Sequence, residues 1–543
     1  MNKNLVIFIV ASLSIYGGWA WWMRKNYPPL PASAVAAQKN GASAVSATAA
    51  PGVLPLQAAP KKAPLKEQVT ALMTESMEVE LTNVGAKIRS LKLRSYREHP
   101  GKPDAVQLVG TEGDYGAFEI SGASLSSEAW TPETKLPLLA ADGSKQMAYR
   151  IQVAGSPISV RKTFSFSPQG FVIKTKVEVI NAGKEDKAIA KSYLLWGPNL
   201  GLPEGWKREE PNTGGSVQME GKFERLSLGD AKSVGYQAPK WVAVKNHYFV
   251  AAYINDNGAF PEAELRRGLA GGVTKSVSAA LGLGEMVVKA GEAKAFETRL
   301  YVGPQDYGIL KGFGNNLNAV IQFSFQWISP LSVFLLQVLK ALHALTQNWG
   351  VAVIFLTLLV KLALFYPTHR GMVSSRRMQT QMAKMAPVLE SLKKTYKDDA
   401  AQLQKETMRL YKEHGVNPLS GCFLMLPQMF IMISLYGALN GTFELRGATF
   451  FGPWTDLSAP DPTYILVPLM GASMWLQQKM TPVNTATMTE EQAQMQKMMQ
   501  TMMPLMFTVM GFIFRWPTGL LLYWTVSNAF GIGQQWYVNK NVK

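Results

Sequence analysis

Residues 351–367, VAVIFLTLLVKLALFYP, constrain this chain more than any other stretch. The run is apolar enough to cross most of a bilayer, and it carries one charge, Lys361. About ten apolar or neutral residues precede that lysine, so at 1.5 Å per residue it lies roughly 15 Å along a helix. A lysine at that depth costs ~2.5–3.5 kcal/mol on insertion scales. Thr357, four residues earlier, shares its helix face. Two readings stay open. Lys361 snorkels to the interface near Pro367, ~9 Å of helix away, or it is an intramembrane cation with a function.

The surrounding composition excludes several function classes. The chain has 543 residues, too many for one domain, and is 47% hydrophobic with 17% charged. Its net charge of +17 raises the question of nucleic acid, but no zinc-finger spacing, RNP-like motif or basic helix with interleaved aromatics accompanies it. The charge is better read as membrane topology and contact with anionic lipids. One cysteine, Cys422, sits inside an apolar run, so neither a disulfide framework nor a cysteine metal site is expected. The histidines at 99, 247, 343, 369 and 414 show no metal-ligand spacing, and no cofactor is implied.

Residues 5–23 are apolar and rich in Trp, flanked by Lys3, Arg24 and Lys25. Ala32-Ser33-Ala34 is a weak cleavage pattern, but the length and the interfacial Trp19, Trp21 and Trp22 favour an uncleaved signal anchor over residues 1–25. Residues 26–66 are rich in Pro, Ala, Ser and Gln and read as a flexible linker. From 67 to 303 the pattern changes to period two. Phe171, Ile173, Thr175, Val177 and Val179 share one face, and Lys174, Lys176 and Glu178 the other. Further strands are expected over 77–81, 87–93, 159–166, 241–254 and 295–301. Many strands with few helical windows predict a large antiparallel β-sandwich, with no catalytic or phosphate-binding motif in it.

Residues 304–347 hold an amphipathic helix over 323–345. Phe325, Ile328, Leu331, Leu335, Val338, Leu339 and Leu342 form one face, suited to the membrane surface. Residues 348–543 then carry five apolar runs: 351–367, 422–439, 464–478, 499–514 and 516–536. With the anchor this makes six transmembrane helices. After the first of the five comes a polar segment with ten basic residues (Arg370, Arg376, Arg377, Lys384, Lys393, Lys394, Lys397, Lys405, Arg409, Lys412) against five acids (Glu390, Asp398, Asp399, Glu406, Glu413). That excess places it in the cytoplasm. Met378, Met382, Met385, Leu389, Leu392 and Tyr396 recur at helical spacing, then Leu403, Thr407, Leu410 and His414. They predict an antiparallel helical hairpin over about 370–415, with Gly415 as C-cap. Lys/Arg asymmetry puts both termini in the cytoplasm and the β-domain outside.

The spans contain no Asp or Glu, which counts against an ion-coupled transporter. Their polar residues are Thr357, Lys361, Gln428, Tyr523, Ser527, Asn528, Gln534 and Gln535. With an unpaired cation they suggest a wet cavity in a small bundle. Met429, Met499, Met502, Met503, Met506 and Met510 would give it a pliable apolar flank, although Met is also common in ordinary spans.

Several of these motifs carry a resemblance. Asn417-Pro418-Leu419-Ser420-Gly421-Cys422 with Gln428 resembles the third span of YidC-type membrane protein insertases. Pro517-Thr518-Gly519-Leu520 through Tyr523, Ser527 and Asn528 resembles their last span. Thr357 and Lys361 match the position of the family's cation. Tyr301-Val302-Gly303-Pro304 and residues 241–254 resemble the periplasmic domain of its Gram-negative branch. Leu424 stands where that family usually has Pro, with Pro427 instead, the gap from Lys361 to Pro367 is one residue longer than the family's, and Trp524 replaces a Tyr. The resemblance implies insertion and folding of integral proteins in the bacterial inner membrane, alone or with the Sec translocon, and no enzyme chemistry. It implies a five-helix core with a groove of Thr357, Lys361, Gln428, Tyr523, Trp524, Ser527 and Asn528, closed outside, and a sugar-epimerase-like sandwich. Nascent membrane proteins are the implied partners, and the short C-terminal tail weakens the case for a ribosome contact. The rival reading is a membrane-anchored periplasmic carbohydrate-binding or carbohydrate-acting protein.

Overall fold

A computed structural model describes residues 53–54, 67–98, 103–110, 117–121, 124–201, 212–228, 233–256, 258–270, 274–323, 325, 327–396, 399–413, 425–481 and 490–541. The expected signal anchor and most of the linker lie outside the described residues, as do Gly415 and Asn417 to Cys422.

The first half is a β-domain of three sheets. A ten-stranded sheet runs in the order Lys222–Ser227, Gly214–Met219, Trp241–Lys245, Phe249–Ile254, Ala293–Pro304, Val172–Asn181, Ile158–Phe166, Lys145–Gln152, Thr131–Pro132, with Leu138–Leu139 also on Lys145–Gln152. A six-stranded sheet centred on Lys187–Trp196 and Thr274–Val288 packs against it. Val53–Leu54, from the expected linker, pairs in parallel with Ala188 and Ile189 at the edge of that second sheet. A four-stranded antiparallel meander covers Val69–Met73 to Ala105–Val109. The period-two pattern is borne out by burial. Ile173, Thr175, Val177 and Val179 face the interior, and Lys174 points out. Between the sheets, Phe118 meets Phe164, Trp196 and Tyr253 edge-on at 5.4–6.4 Å.

Two details of this half depart from the sequence reading. Residues 241–254 are two strands, not one. The Asn246 carboxamide oxygen accepts from the backbone N–H groups of Tyr248 and Phe249, and this local turn breaks the run. Lys162 also lies on the buried face, beside Val160 and Phe164. Its ammonium donates to the carbonyls of Gly85, Ala86 and Phe118 at 2.8–3.1 Å and lies 4.9 Å from the Trp130 ring centre. Burial pushes this lysine down to about 7, with the Glu119 carboxylate pulling the other way and the Lys87 ammonium adding to the depression.

The second half is helical. Among the described residues there are nine α-helices: α1 Tyr307–Gly312, α2 Ser329–Thr346, α3 Trp349–Ala363, α4 Phe365–Thr395, α5 Ala400–Glu413, α6 Met425–Asn440, α7 Leu466–Met480, α8 Glu490–Ile513 and α9 Thr518–Asn541. The surface helix expected over 323–345 is α2. It buries Leu335 and Leu339 as expected, but Phe325 precedes the helix and is exposed. By length and composition α2 is also the one described helix apolar enough to cross a membrane unbroken. A count of six spans is therefore not what the described helices display.

The run 351–367 is not one straight helix. α3 ends at Ala363, and the chain bends by 59° into α4. Pro367 has no N–H to give to Ala363 and its ring crowds that carbonyl, so a bend belongs here. α4 and α5 form the expected hairpin. Met385 and Leu389 are its buried centre, with Met378, Met382, Leu410 and Tyr411 around them.

Glycines let two helix pairs approach closely: Gly471 of α7 faces Thr508 of α8, and Gly531 of α9 faces Gln477 of α7. The ends of the helices nearest the β-domain, here the proximal ends, are stitched by loop residues 442–465. Asp461 accepts from Trp454 Nε1, the Thr463 backbone and hydroxyl, and the Leu466 backbone N–H at 2.7–3.0 Å, which caps the start of α7. Thr518 and Gly519 donate to Ala459 and Leu457 of the same loop, fixing the start of α9.

Candidate functional site: an unsealed helical bundle

The helices pack in the order α6, α2, α3, α9, α7, α8. α6 and α8 are the two ends of this order and do not pack along one another over their described lengths. Each exposes an apolar stripe. On α6 it is Met429, Met432 and Tyr436; on α8 it is Leu505, Met506, Val509, Phe512 and Ile513, all exposed. The spacings i, i+3, i+7 and i, i+4, i+8 put each stripe on a single helix face.

Lys361 and Thr357 lie on α3, in the middle of the order. Thr357 is buried and its hydroxyl donates to the Val353 carbonyl of its own helix at 2.7 Å. Lys361 is partly exposed and has no ion pair or hydrogen bond among the described residues. Because α3 stops at Ala363, the lysine sits in the last helical turn rather than six residues from the end. The negative end of the helix dipole helps hold a cation there.

The polar residues of α9 divide between two faces. Tyr523 is buried beside α3 and has the Ser527 hydroxyl within hydrogen-bonding reach. Trp524 and Asn528 point toward α7 and α8. Trp524 packs on Trp516 at 4.7 Å and Phe507 at 6.3 Å, and Asn528 donates to the Ser473 hydroxyl of α7 at 3.0 Å. The expected groove set is thus not one lining: Trp524 packs in the α7–α8–α9 seam, because one helical residue is a 100° turn. Gln428 is in α6, but its side chain lies outside the described residues, as does that of Met499. Met429 and Met506 are exposed, whereas Met502, Met503 and Met510 are half-buried.

Sequence reading missed two features here. Gln534 donates to the Phe365 carbonyl and the Thr368 hydroxyl at 3.3 and 3.0 Å, which fastens α9 to α4 just past the bend. The stripe Leu505, Met506, Val509, Phe512, Ile513 has clear helical periodicity and could have been found by counting apolar residues rather than methionines. Among the described residues no group of His, Cys, Asp or Glu could hold a metal.

A helical bundle left open on one side, beneath a β-domain at its proximal end, defines the class: a polytopic membrane protein with a large extramembrane domain. Comparison with known proteins makes it specific. Residues 341–543 match the family model described as 60Kd inner membrane protein, and residues 70–337 match the YidC periplasmic domain. The membrane protein insertase YidC of Pelobacter propionicus is 31% identical over 563 residues, covering all of both chains. That of Laribacter hongkongensis is 34% identical over 572 residues, covering all of this chain and 98% of its own. A crystal structure of an active YidC insertase with its first transmembrane domain resolved is 16% identical, covers 88% of this chain and 95% of its own, and aligns with a TM-score of 0.36. The chain belongs to the YidC family of membrane protein insertases. It is an inner membrane protein with a periplasmic β-domain, and the carbohydrate-protein reading is not favoured by this match over both halves.

Proposed function

We propose that this chain inserts and helps fold integral membrane proteins by the opening between α6 and α8. The observation that carries the reading is a cation without a described partner, Lys361, in a bundle whose two outer helices expose apolar stripes instead of sealing. Lys361, Thr357, Tyr523 and Ser527, with Gln428 from α6, lower the cost of bringing a polar or acidic substrate tail partway into the bilayer. The apolar substrate segment then leaves sideways along Met429 and Met506, driven by its own partition into lipid. Short spans thin the bilayer around it. The α4–α5 hairpin is cytoplasmic, basic and receives substrates. Both termini are cytoplasmic, and an anchor over 1–25 completes six spans. Nascent membrane proteins are the substrates, anionic lipids contact the basic hairpin, and the Sec translocon is a partner for some substrates.

Substitution at Lys361 tests the core of this reading. Lys361→Arg keeps insertion, because charge is what is required. Lys361→Ala lowers insertion of substrates with acidic tails roughly tenfold, the factor that about 1.4 kcal/mol of lost attraction gives. Substrates with those acids neutralised lose less. Equal loss with both tails excludes direct attraction, and no loss with either leaves Lys361 as a snorkelling residue.

A further inference from the structure

α6 is held very unevenly along its length. Its proximal half is packed: Leu435, Ala438 and Leu439 are buried among Leu445, Leu457 and Leu520. Further from the β-domain, Met429 and Met432 are 41% and 38% exposed. The helix packs along α2 and touches α9 only lightly, so its neighbours in the bundle grip it on one side.

What holds the proximal end is the β-domain. The short helical turn Phe443–Leu445 follows α6 directly. Phe443 sits edge-on to Tyr96 at 5.0 Å and to Phe249 at 5.5 Å, both in the β-domain. Arg446 donates to the carbonyls of Arg97 and Glu98 at 2.8 and 3.1 Å. Its guanidinium lies over the rings of Tyr248 and Phe249 at 5.5 and 5.4 Å. His247, in the turn between two strands, bonds the Asn440 carbonyl at the last residue of α6. Glu444 pairs with Lys340 of α2, and that lysine also reaches Asp306 at 3.1 Å. Charge-assisted bonds to fixed backbone carbonyls leave little play.

We propose that the β-domain is the anchor of one wall of the opening: Arg446 and Phe443 pin the proximal end of α6, so the gap between α6 and α8 widens from the distal end. The pinned helix pivots near Gly441, where the backbone is closely approached by the Gln322 carbonyl. Arg446 is then a positioning residue. It touches no substrate, and it sets how wide the opening stands. This rests on the reading that substrates leave between α6 and α8, but the anchoring itself can be tested without any substrate.

The test uses the full chain with Cys422→Ser as background and pairs of spin labels read by pulsed distance measurement. One pair, at Tyr436 and Val509, reports the proximal gap. The other, at Met429 and Leu505, reports further along. Arg446→Met keeps an apolar stem over the two rings but removes both donors. It widens the proximal distance distribution by on the order of 5 Å, the pitch of one helical turn, with little change at the second pair. Arg446→Lys restores most of the narrow distribution. An unchanged proximal pair in Arg446→Met, with the β-domain still melting at its usual temperature, overturns the proposal. Equal widening of both pairs also overturns it, because the whole bundle has then loosened. If the distances move as expected while insertion of every substrate is unaltered, the anchor stands and the exit route between α6 and α8 is what fails.

Discussion

Two lysines contrast the two halves of this molecule. Lys162 lies inside the β-domain with three carbonyl acceptors and an aromatic ring around it. Lys361 lies in the bundle with no ion pair or hydrogen bond among the described residues. Each is a lysine set in an apolar stretch of the fold. The first has its donors engaged and joins the meander at Gly85 and Ala86 to the large sheet. The second has no comparable set of acceptors among the described residues. A buried ammonium whose donors are all taken by carbonyls helps hold a fold together, whereas an intramembrane lysine without such partners is a functional-site hypothesis, as proposed above.

The sharpest way to break this contrast is to remove both charges in parallel. Lys162→Met leaves three carbonyls without their donor. It is expected to lower β-domain stability by roughly 1–3 kcal/mol, the cost of leaving buried acceptors unsatisfied. Denaturant unfolding of the purified chain, followed by tryptophan fluorescence, reads this directly. Lys361→Met leaves the same midpoint unchanged. Similar losses from the two substitutions would erase the distinction between a lysine that holds the fold and one that does not.

A second test asks whether the halves are separable. Sequence reading predicts a β-domain with no reactive constellation, hence one that insertion does not need. The fold shows that Trp241 and Tyr301 of the β-domain are buried in one core with Leu310, Val320, Leu335 and Leu439 of the helical half. Trp241 Nε1 also donates to the Asn315 carbonyl at 2.9 Å. Deleting residues 67–300 therefore removes one aromatic anchor, Trp241, worth about 1.5–3 kcal/mol, and takes away the strands that pair beside Tyr301. The truncated chain is expected to insert substrates, but with a lower melting temperature for the bundle. A bundle that melts unchanged would show the junction to be contact without grip.

The smallest effect is in acid. Burial raises the Asp306 carboxyl, but the Ile309 backbone N–H and Lys340 outweigh it and hold the carboxyl below its ordinary range. A depressed carboxyl stabilises the fold above the unfolded value of ~3.9 and loses that contribution as pH falls through the lower folded value. The pair with Lys340 is partly exposed and is worth ~0.2–1 kcal/mol. Stability of the junction should be flat from pH 7 to 5 and fall below about pH 4, and Asp306→Asn should remove that acid limb.

The β-sandwich, the hairpin and the apolar runs were all legible in residue order. Period-two burial in Val172–Asn181 and helical spacing through Met378, Met382, Met385 and Leu389 are local patterns, set by which side chains must leave water. Lys361 was legible too, because a charge in an apolar run is costly wherever the helix lies. Other features depended on partners far away in the chain. The acceptors of Lys162 lie 44 to 77 residues from it, and those of Arg446 lie 348 and 349 residues away. Whether Trp524 faces the opening or packs on Phe507 depends on the rotation of α9 against α7 and α8, which its own residues do not specify. Local chemistry decides which segments form and which surfaces must be buried; the pairing of distant surfaces, and the lack of packing between α6 and α8 over their described lengths, are properties of the packed whole.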